Sequence, residues 1–187
     1  YSEEWVKEAQ RRGLANMRTA AQALPCFKAE KNVELFARHK VFTKAEVESR
    51  CELMLENYIK VLTIEAQTII NMSRREILPA ASAYCARLAK AALDKASLNA
   101  ELPARYESDL VMKLSKLIEC LYNGVTQLDT ALLHAREYAQ ADECARYFSE
   151  TVFENMCLVR EAADELEMNV SADCWPYPVY SEILFSV

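Results

Sequence analysis

The sequence predicts an all-α protein, an antiparallel bundle of long amphipathic helices with a non-helical aromatic and proline tail. Three observations carry this. Glycine is nearly absent, with two in 187 residues against roughly 7% in an average globular chain. Only five prolines join them, so the chain has few residues to spend on hairpins. Apolar residues then recur at steps of three or four through long stretches rich in Ala, Leu, Glu, Lys and Arg, until the ending CWPYPVYSEILFSV (174–187) breaks the pattern with two prolines and four aromatics.

Residues 3–22 carry acids in the first turn and apolar positions Val6, Ala9, Leu14, Met17 and Ala21, which predicts one helix stopped by Pro25. A short helix is expected over Glu30–His39. "VFTKAE" then supplies a start signal, with Thr43 as N-cap, Glu46 three residues on as the partner of a capping box, and Phe42 placed for a hydrophobic staple. From Thr43 the positions Val47, Cys51, Met54, Tyr58, Leu62, Ala66, Ile69 and Met72 form one stripe reaching at least Leu78. Pro79 predicts a kink or break, because it lacks the N–H a helix interior needs, yet helical composition resumes at once. "SLNAELP" at 97–103 is the clearest linker. Beyond it the stripe Tyr106, Leu110, Leu114, Leu117, Leu121, Val125, Leu128, Leu132, Ala135, Ala139 predicts a second long helix. Ala145, Phe148, Val152, Met156, Val159, Ala163 and Leu166 predict a third. Short connections between long helices favour antiparallel packing. The chain is expected to be one helical domain, with N-terminal helices at 1–42, the long-helix bundle at 43–168 and an extended tail at 169–187.

Composition narrows the function. With 52% hydrophobic and 27% charged residues there is material for a core. The net charge of −6, with Lys and Arg scattered among acids, gives no footprint for nucleic acid. No apolar run approaches the roughly 20 residues of a membrane span, so neither partner is expected. The chain begins at Tyr1 without a signal-peptide core, which points to a piece of something longer. Seven cysteines, an odd number with no C-x-x-C pair, read as reduced core thiols of a cytoplasmic protein.

The residues that carry chemistry are sparse. There are two histidines. His39 reads as a cation at the end of the short helix, and His134 lies inside a long one. Glu137 follows His134 at i+3, but the carboxylate-bundle di-metal signature runs Glu-x-x-His and occurs twice. No G-x-S-x-G elbow or glycine-rich phosphate loop is present, so no catalytic, cofactor-binding or metal residue is expected in this segment. Glu65 falls on or near the buried stripe, which predicts a carboxylate paired with an Arg or Lys of a neighbouring helix. Gly124 sits mid-helix without disturbing the stripe and reads as a close helix contact.

Three blocks go further: NVELFARHKVFTKAEVESRCELMLENYIKVLTIEA (Asn32–Ala66), ILPAASAY (Ile77–Tyr84) and DCWPYPVYSEILF (Asp173–Phe185). In their order and residues they resemble the extreme C-terminal region of type III glutamine synthetases. The ending, W-P-x-P-x-Y-x-x-[IL]-L-F, is the most specific. Lys40 stands where a glycine is expected and Val179 where a threonine is usual. The resemblance implies a parent enzyme that makes glutamine from glutamate, ammonia and ATP with divalent metal (Mg or Mn) and assembles as a homo-oligomer. It implies a segment that follows the catalytic domain of the same chain, with the metal and nucleotide residues in that domain.

The resulting expectation is a non-catalytic C-terminal helical domain, the alternative being a stand-alone helical protein-interaction module. The proposed docking tail comprises Trp175, Pro176, Tyr177, Pro178, Tyr180, Leu184 and Phe185. Its prolines stiffen it, and its aromatics are expected to project to opposite sides.

Overall fold

A computed structural model describes residues 2–178 and 180–185, with the backbone alone for Tyr180, Ser181 and Phe185. Among the described residues there is no strand. The helices are α1 (Glu3–Arg11), α2 (Ala20–Phe27), α3 (Glu30–Arg38), α4 (Lys44–Met72), α5 (Leu78–Leu98), α6 (Arg105–His134), α7 (Ala141–Tyr147), α8 (Phe153–Glu167) and α9 (Tyr180–Phe185). The chain divides into two compact units, Tyr1–Thr63 with Ala135–Glu150, and Ile64–His134 with Thr151–Val187. The chain passes between them inside α4, after α6 and just before α8, and at the first of these the sequence shows no change of composition.

In the first unit, the helix expected over 3–22 is two helices. Gly13 takes φ 78° at the end of α1. There Leu14 N–H bonds to Ala9 O at 2.9 Å and Gly13 N–H to Gln10 O at 3.0 Å, a Schellman motif that ends the helix. Thr19 then caps α2, accepting from Gln22 N–H, and Pro25 lies inside α2, which ends two residues later. α3 closes with the same pair of bonds, Val41 N–H to Phe36 O at 2.9 Å and Lys40 N–H to Ala37 O at 3.1 Å. Here the left-handed residue is Lys40, at φ 54°, the position where the sequence leads one to expect glycine. The capping box at the start of α4 is complete. Thr43 N–H and Oγ1 both donate to the Glu46 carboxylate, at 2.7 and 2.8 Å, and Glu46 N–H donates to Thr43 Oγ1. The core of this unit is Ala21, Cys51, Leu55 and Ala145, flanked by Leu24, Phe27, Tyr58, Ile59 and Ala141. Lys28 on α2 pairs with Asp142 on α7 at 2.6 Å. Phe27, Phe36 and Phe42 stack edgewise, and the Arg50 guanidinium lies 4.5 Å over the Phe42 ring.

The second unit is built on α5, α6 and α8. Cys85 meets Val111 and Ser115 near the middle of the α5–α6 pair, while Lys95 meets Glu107 near the connecting turn, so the two helices run antiparallel. α6 and α8 are antiparallel as well, with Gly124 against Val159 and Lys113 against Glu165. Gly124 is the close contact expected of it, since a Cβ there would lie 3.2 Å from Val159 Cγ2. Leu114, Leu121 and Leu128 are fully buried, as are Val152, Val159 and Leu166 across from them. Pro79 neither breaks nor ends the helical path. Ser73–Ile77 form a π turn in which Leu78 N–H bonds to Ser73 O, five residues back, and α5 starts directly after it.

The α4 stripe differs by one residue at two places. Leu55 and Ile70 are buried, whereas Met54 is exposed and Ile69 only half-buried. A sequence stripe with apolar neighbours on both sides does not fix which of two adjacent residues faces inward.

Two stability measurements check this packing. Leu121→Ala removes a fully buried side chain and is expected to cost about 2–5 kcal/mol in urea denaturation, while Leu133→Ala, on an exposed face of the same helix, costs well under about 1 kcal/mol. Lys40→Gly relieves a left-handed residue and is expected to raise stability by about 0.5–1 kcal/mol, the added freedom of the unfolded chain offsetting part of the gain.

Candidate functional site

The segment after α8 is the one the sequence marks out. Val170 is buried at the end of α8, and the chain then turns, Cys174 N–H bonding to Ser171 O at 2.8 Å. Asp173 at this turn is anchored to α5. Arg87 Nη1 donates to its Oδ2 at 2.9 Å, and Ser171 Oγ donates to its Oδ1. The Arg87 guanidinium also lies 5.1 Å over the Tyr84 ring. The Arg87 guanidinium and then the Ser171 hydroxyl hold the Asp173 carboxyl well below its ordinary range. Both side chains of the ion pair are more than half exposed, so water screens it and it steers the turn more than it stabilises it.

From this anchor residues 175–178 run without helix, a strap as the two prolines require. Trp175, Tyr177 and Pro178 line a cavity of about 390 Å³, whose other walls are the last turn of α4, the π turn and α8, with Ile69, Met72, Ile77, Val159 and Ala163 as its apolar floor. The aromatics therefore face the same side, not opposite ones. Residues two apart on an extended chain share a face, and here that face is apolar. Pro176 and Pro178 are exposed.

The tail is also shorter than the expected 169–187. After Pro178 no proline remains, and Tyr180–Phe185 wind into α9. Ile183 borders the same cavity, while Leu184 is 70% exposed. The side chains of Tyr180 and Phe185 lie outside the described residues.

Tyr177 carries the one unusual polar group. Its hydroxyl is buried and makes no hydrogen bond of normal geometry among the described residues. Burial first, and then the facing carboxylate of Glu76 on the π turn, push its pKa from an ordinary value near 10 up to about 12.

Other expected positions stand apart. Glu65 is exposed, not on the buried face, and lines a separate open groove of about 650 Å³ with Ile64, Thr68, Phe153 and Met156. His39 is the exposed C-cap of α3, and His134 is the last residue of α6. Among the described residues no group of three or more His, Cys, Asp or Glu is placed to hold a metal ion. The core-thiol reading holds for Cys51 and Cys144, which are buried and point at the backbone carbonyls of Leu24 and Ala135. Cys26, Cys120 and Cys157 are exposed, because a small thiol fits a helix surface as readily as a core. The Arg87–Asp173 anchor has no signal in the sequence, since its members are 86 positions apart.

Tyr177 predicts an alkaline limit. Its neutral form is favoured in the fold, so its contribution is complete below pH 10 and is lost as pH rises toward 12. In denaturation at stepped pH, Tyr177→Phe, which removes a buried hydroxyl without a normal hydrogen bond, is expected to be at least as stable as the wild type at neutral pH and to outlast it by a wider margin between pH 10 and 12.

Residues 1–96 match the sequence profile described as the glutamine synthetase C-terminal domain. The chain is 34% identical over its whole length to a glutamine synthetase of Butyrivibrio fibrisolvens, of which it covers 27%. It is 28% identical to a type-3 glutamine synthetase of Dictyostelium discoideum over 99% of this chain and 26% of that one, and 28% identical to a glutamine synthetase of Bacteroides fragilis (strain YCH46) over 100% and 26%. The chain thus spans about a quarter of these relatives and matches their C-terminal part. On this match the chain belongs to the family of glutamine synthetase C-terminal domains.

Proposed function

We propose that this chain is the helical C-terminal domain of a type III glutamine synthetase, a glutamate–ammonia ligase, and that it contributes structure and no catalytic group. The observation that carries the reading is the alignment along 99–100% of this chain but only 26–27% of relatives bearing that name. ATP and the divalent metal belong, on this reading, to the preceding catalytic domain of the same polypeptide, in a cytoplasmic homo-oligomer. The strap Trp175–Pro178 serves the bundle itself, burying its aromatics against α8 and the π turn.

Assay of ATP-dependent glutamine formation tests the reading. The full-length polypeptide is expected to be active, and the isolated chain to be inactive at any concentration. Turnover by the isolated chain, purified free of host synthetase, overturns it, as does a full-length protein without this activity. Removing residues 175–187 is expected to lower the melting temperature of the isolated chain. An unchanged melt would assign the strap to another part of the enzyme.

A further inference from the structure

The first stretch of the chain is well formed and yet nothing in it is buried. From residue 2 to residue 18 no described residue reaches the core, and the first that does is Ala21 on α2. α1 is nevertheless a finished helix. It opens with Glu3 and Glu4 in its first turn, carries Glu8 bonded to both Arg11 and Arg12, and ends in the Schellman motif at Gly13. Nine residues are too few to hold a helix in water from local bonds alone. Such a helix forms when an amphipathic face is covered.

That face is present. Trp5, Val6 and Ala9 lie on one side of α1, and the Schellman turn folds Leu14 back so that its N–H reaches the Ala9 carbonyl. Met17 comes three residues later. Trp5 is 50% exposed, Leu14 55% and Met17 49%, and the Glu8–Arg12 ion pair, three and seven residues on from Trp5, borders this apolar side. A tryptophan and two long apolar side chains held open on an ordered scaffold are the composition of an interface centre.

We propose that the apolar face of α1, extended by Leu14 and Met17, is the surface on which this domain docks against an apolar patch of the preceding part of its own polypeptide. The proposal rests on the reading of the chain as the C-terminal part of a longer synthetase. What selects this occupant is the length of the relatives. About three quarters of each lies ahead of the segment they share with this chain, and α1 is the element next to that junction. A covalently joined surface meets α1 at a high effective concentration, so a modest apolar patch is enough to seat it.

Hydrogen exchange followed by mass spectrometry tests this in the full-length polypeptide and in the isolated chain. In the full-length protein the amides of residues 6–11 are expected to exchange at least about tenfold more slowly than in the isolated chain, and the double substitution Trp5→Ser, Leu14→Ser should abolish the difference. The same variant of the isolated chain should melt where the unsubstituted chain does. Equal exchange in both forms overturns the proposal. So does slow exchange in the isolated monomer, which would mean that the chain covers its own face. Slow exchange that disappears on dilution of the isolated chain overturns it too, assigning the face to a second copy. Loss of glutamine synthesis in the unsubstituted full-length protein would instead remove the functional reading, and the exchange data would still decide the docking.

Discussion

The amide hydrogen missing at Pro79 is the constraint on which the architecture of the second unit depends. In a regular α-helix that N–H would bond to the Arg75 carbonyl, and the pyrrolidine ring would collide with it. The chain answers by widening one turn. Ser73–Ile77 adopt π geometry with Leu78 N–H reaching back to Ser73 O, and the helix resumes as α5 without a loop. The widening has consequences beyond its own hydrogen bonds. It turns Ser73 and Ile77 inward, leaves Arg74 outward to pair with Asp129 on α6 at 2.7 Å, and sets Glu76 opposite the Tyr177 hydroxyl. A regular helix would rotate these side chains, and the cavity lined by the strap would lose a wall.

Legibility in the sequence divides along physical lines. Signals that are local in the chain are readable: the Thr43–Glu46 box, the start of α3, and the central part of the α6 stripe, whereas Tyr106 at its start is exposed and α6 ends at His134, short of the expected Ala139. Leu114, Leu121 and Leu128 belong to this group. The phase of α4 is harder because Met54 beside Leu55 and Ile69 beside Ile70 offer two inward faces at equal hydrophobicity, and only the packed partner decides. The break at Gly13 is hidden because the stripe around it keeps helical spacing. A single left-handed residue costs glycine nothing and leaves no trace in a periodicity. The strap is legible as far as its prolines reach. The helix Tyr180–Phe185 is not, since six residues have too little periodicity to compete with the irregular stretch before them.

Charge plays a secondary part. The pairs Lys28–Asp142, Arg74–Asp129, Arg87–Asp173 and Lys113–Glu165 each join elements distant in sequence, but all sit at the surface in water. They fix azimuth and register between helices whose apolar faces already attract without direction. The Arg87–Asp173 pair shows the division of work. It places the turn at Ser171–Cys174, and the energy that holds the strap beyond it comes from the apolar area of Trp175 and Tyr177.

The three sequence blocks Asn32–Ala66, Ile77–Tyr84 and Asp173–Phe185 each include a place where the backbone is specified by something other than a buried stripe. The block Asn32–Ala66 contains the left-handed Lys40 and the capping box, the block Ile77–Tyr84 comes directly after the π turn, and the block Asp173–Phe185 holds the anchor and the strap. At each of these places the backbone leaves a regular helix, and a residue is specified by a dihedral angle, a cap or a missing N–H. The intervening helices are specified more loosely, because a buried stripe accepts many apolar side chains if volume and spacing are kept. Gly124 tests this distinction within the bundle, since it lies in one of those intervening helices and yet a Cβ there would press on Val159 Cγ2 at 3.2 Å, closer than ordinary van der Waals contact. A position can therefore be exacting without belonging to a recognisable block, when the demand comes from a neighbouring helix and not from the chain's own backbone.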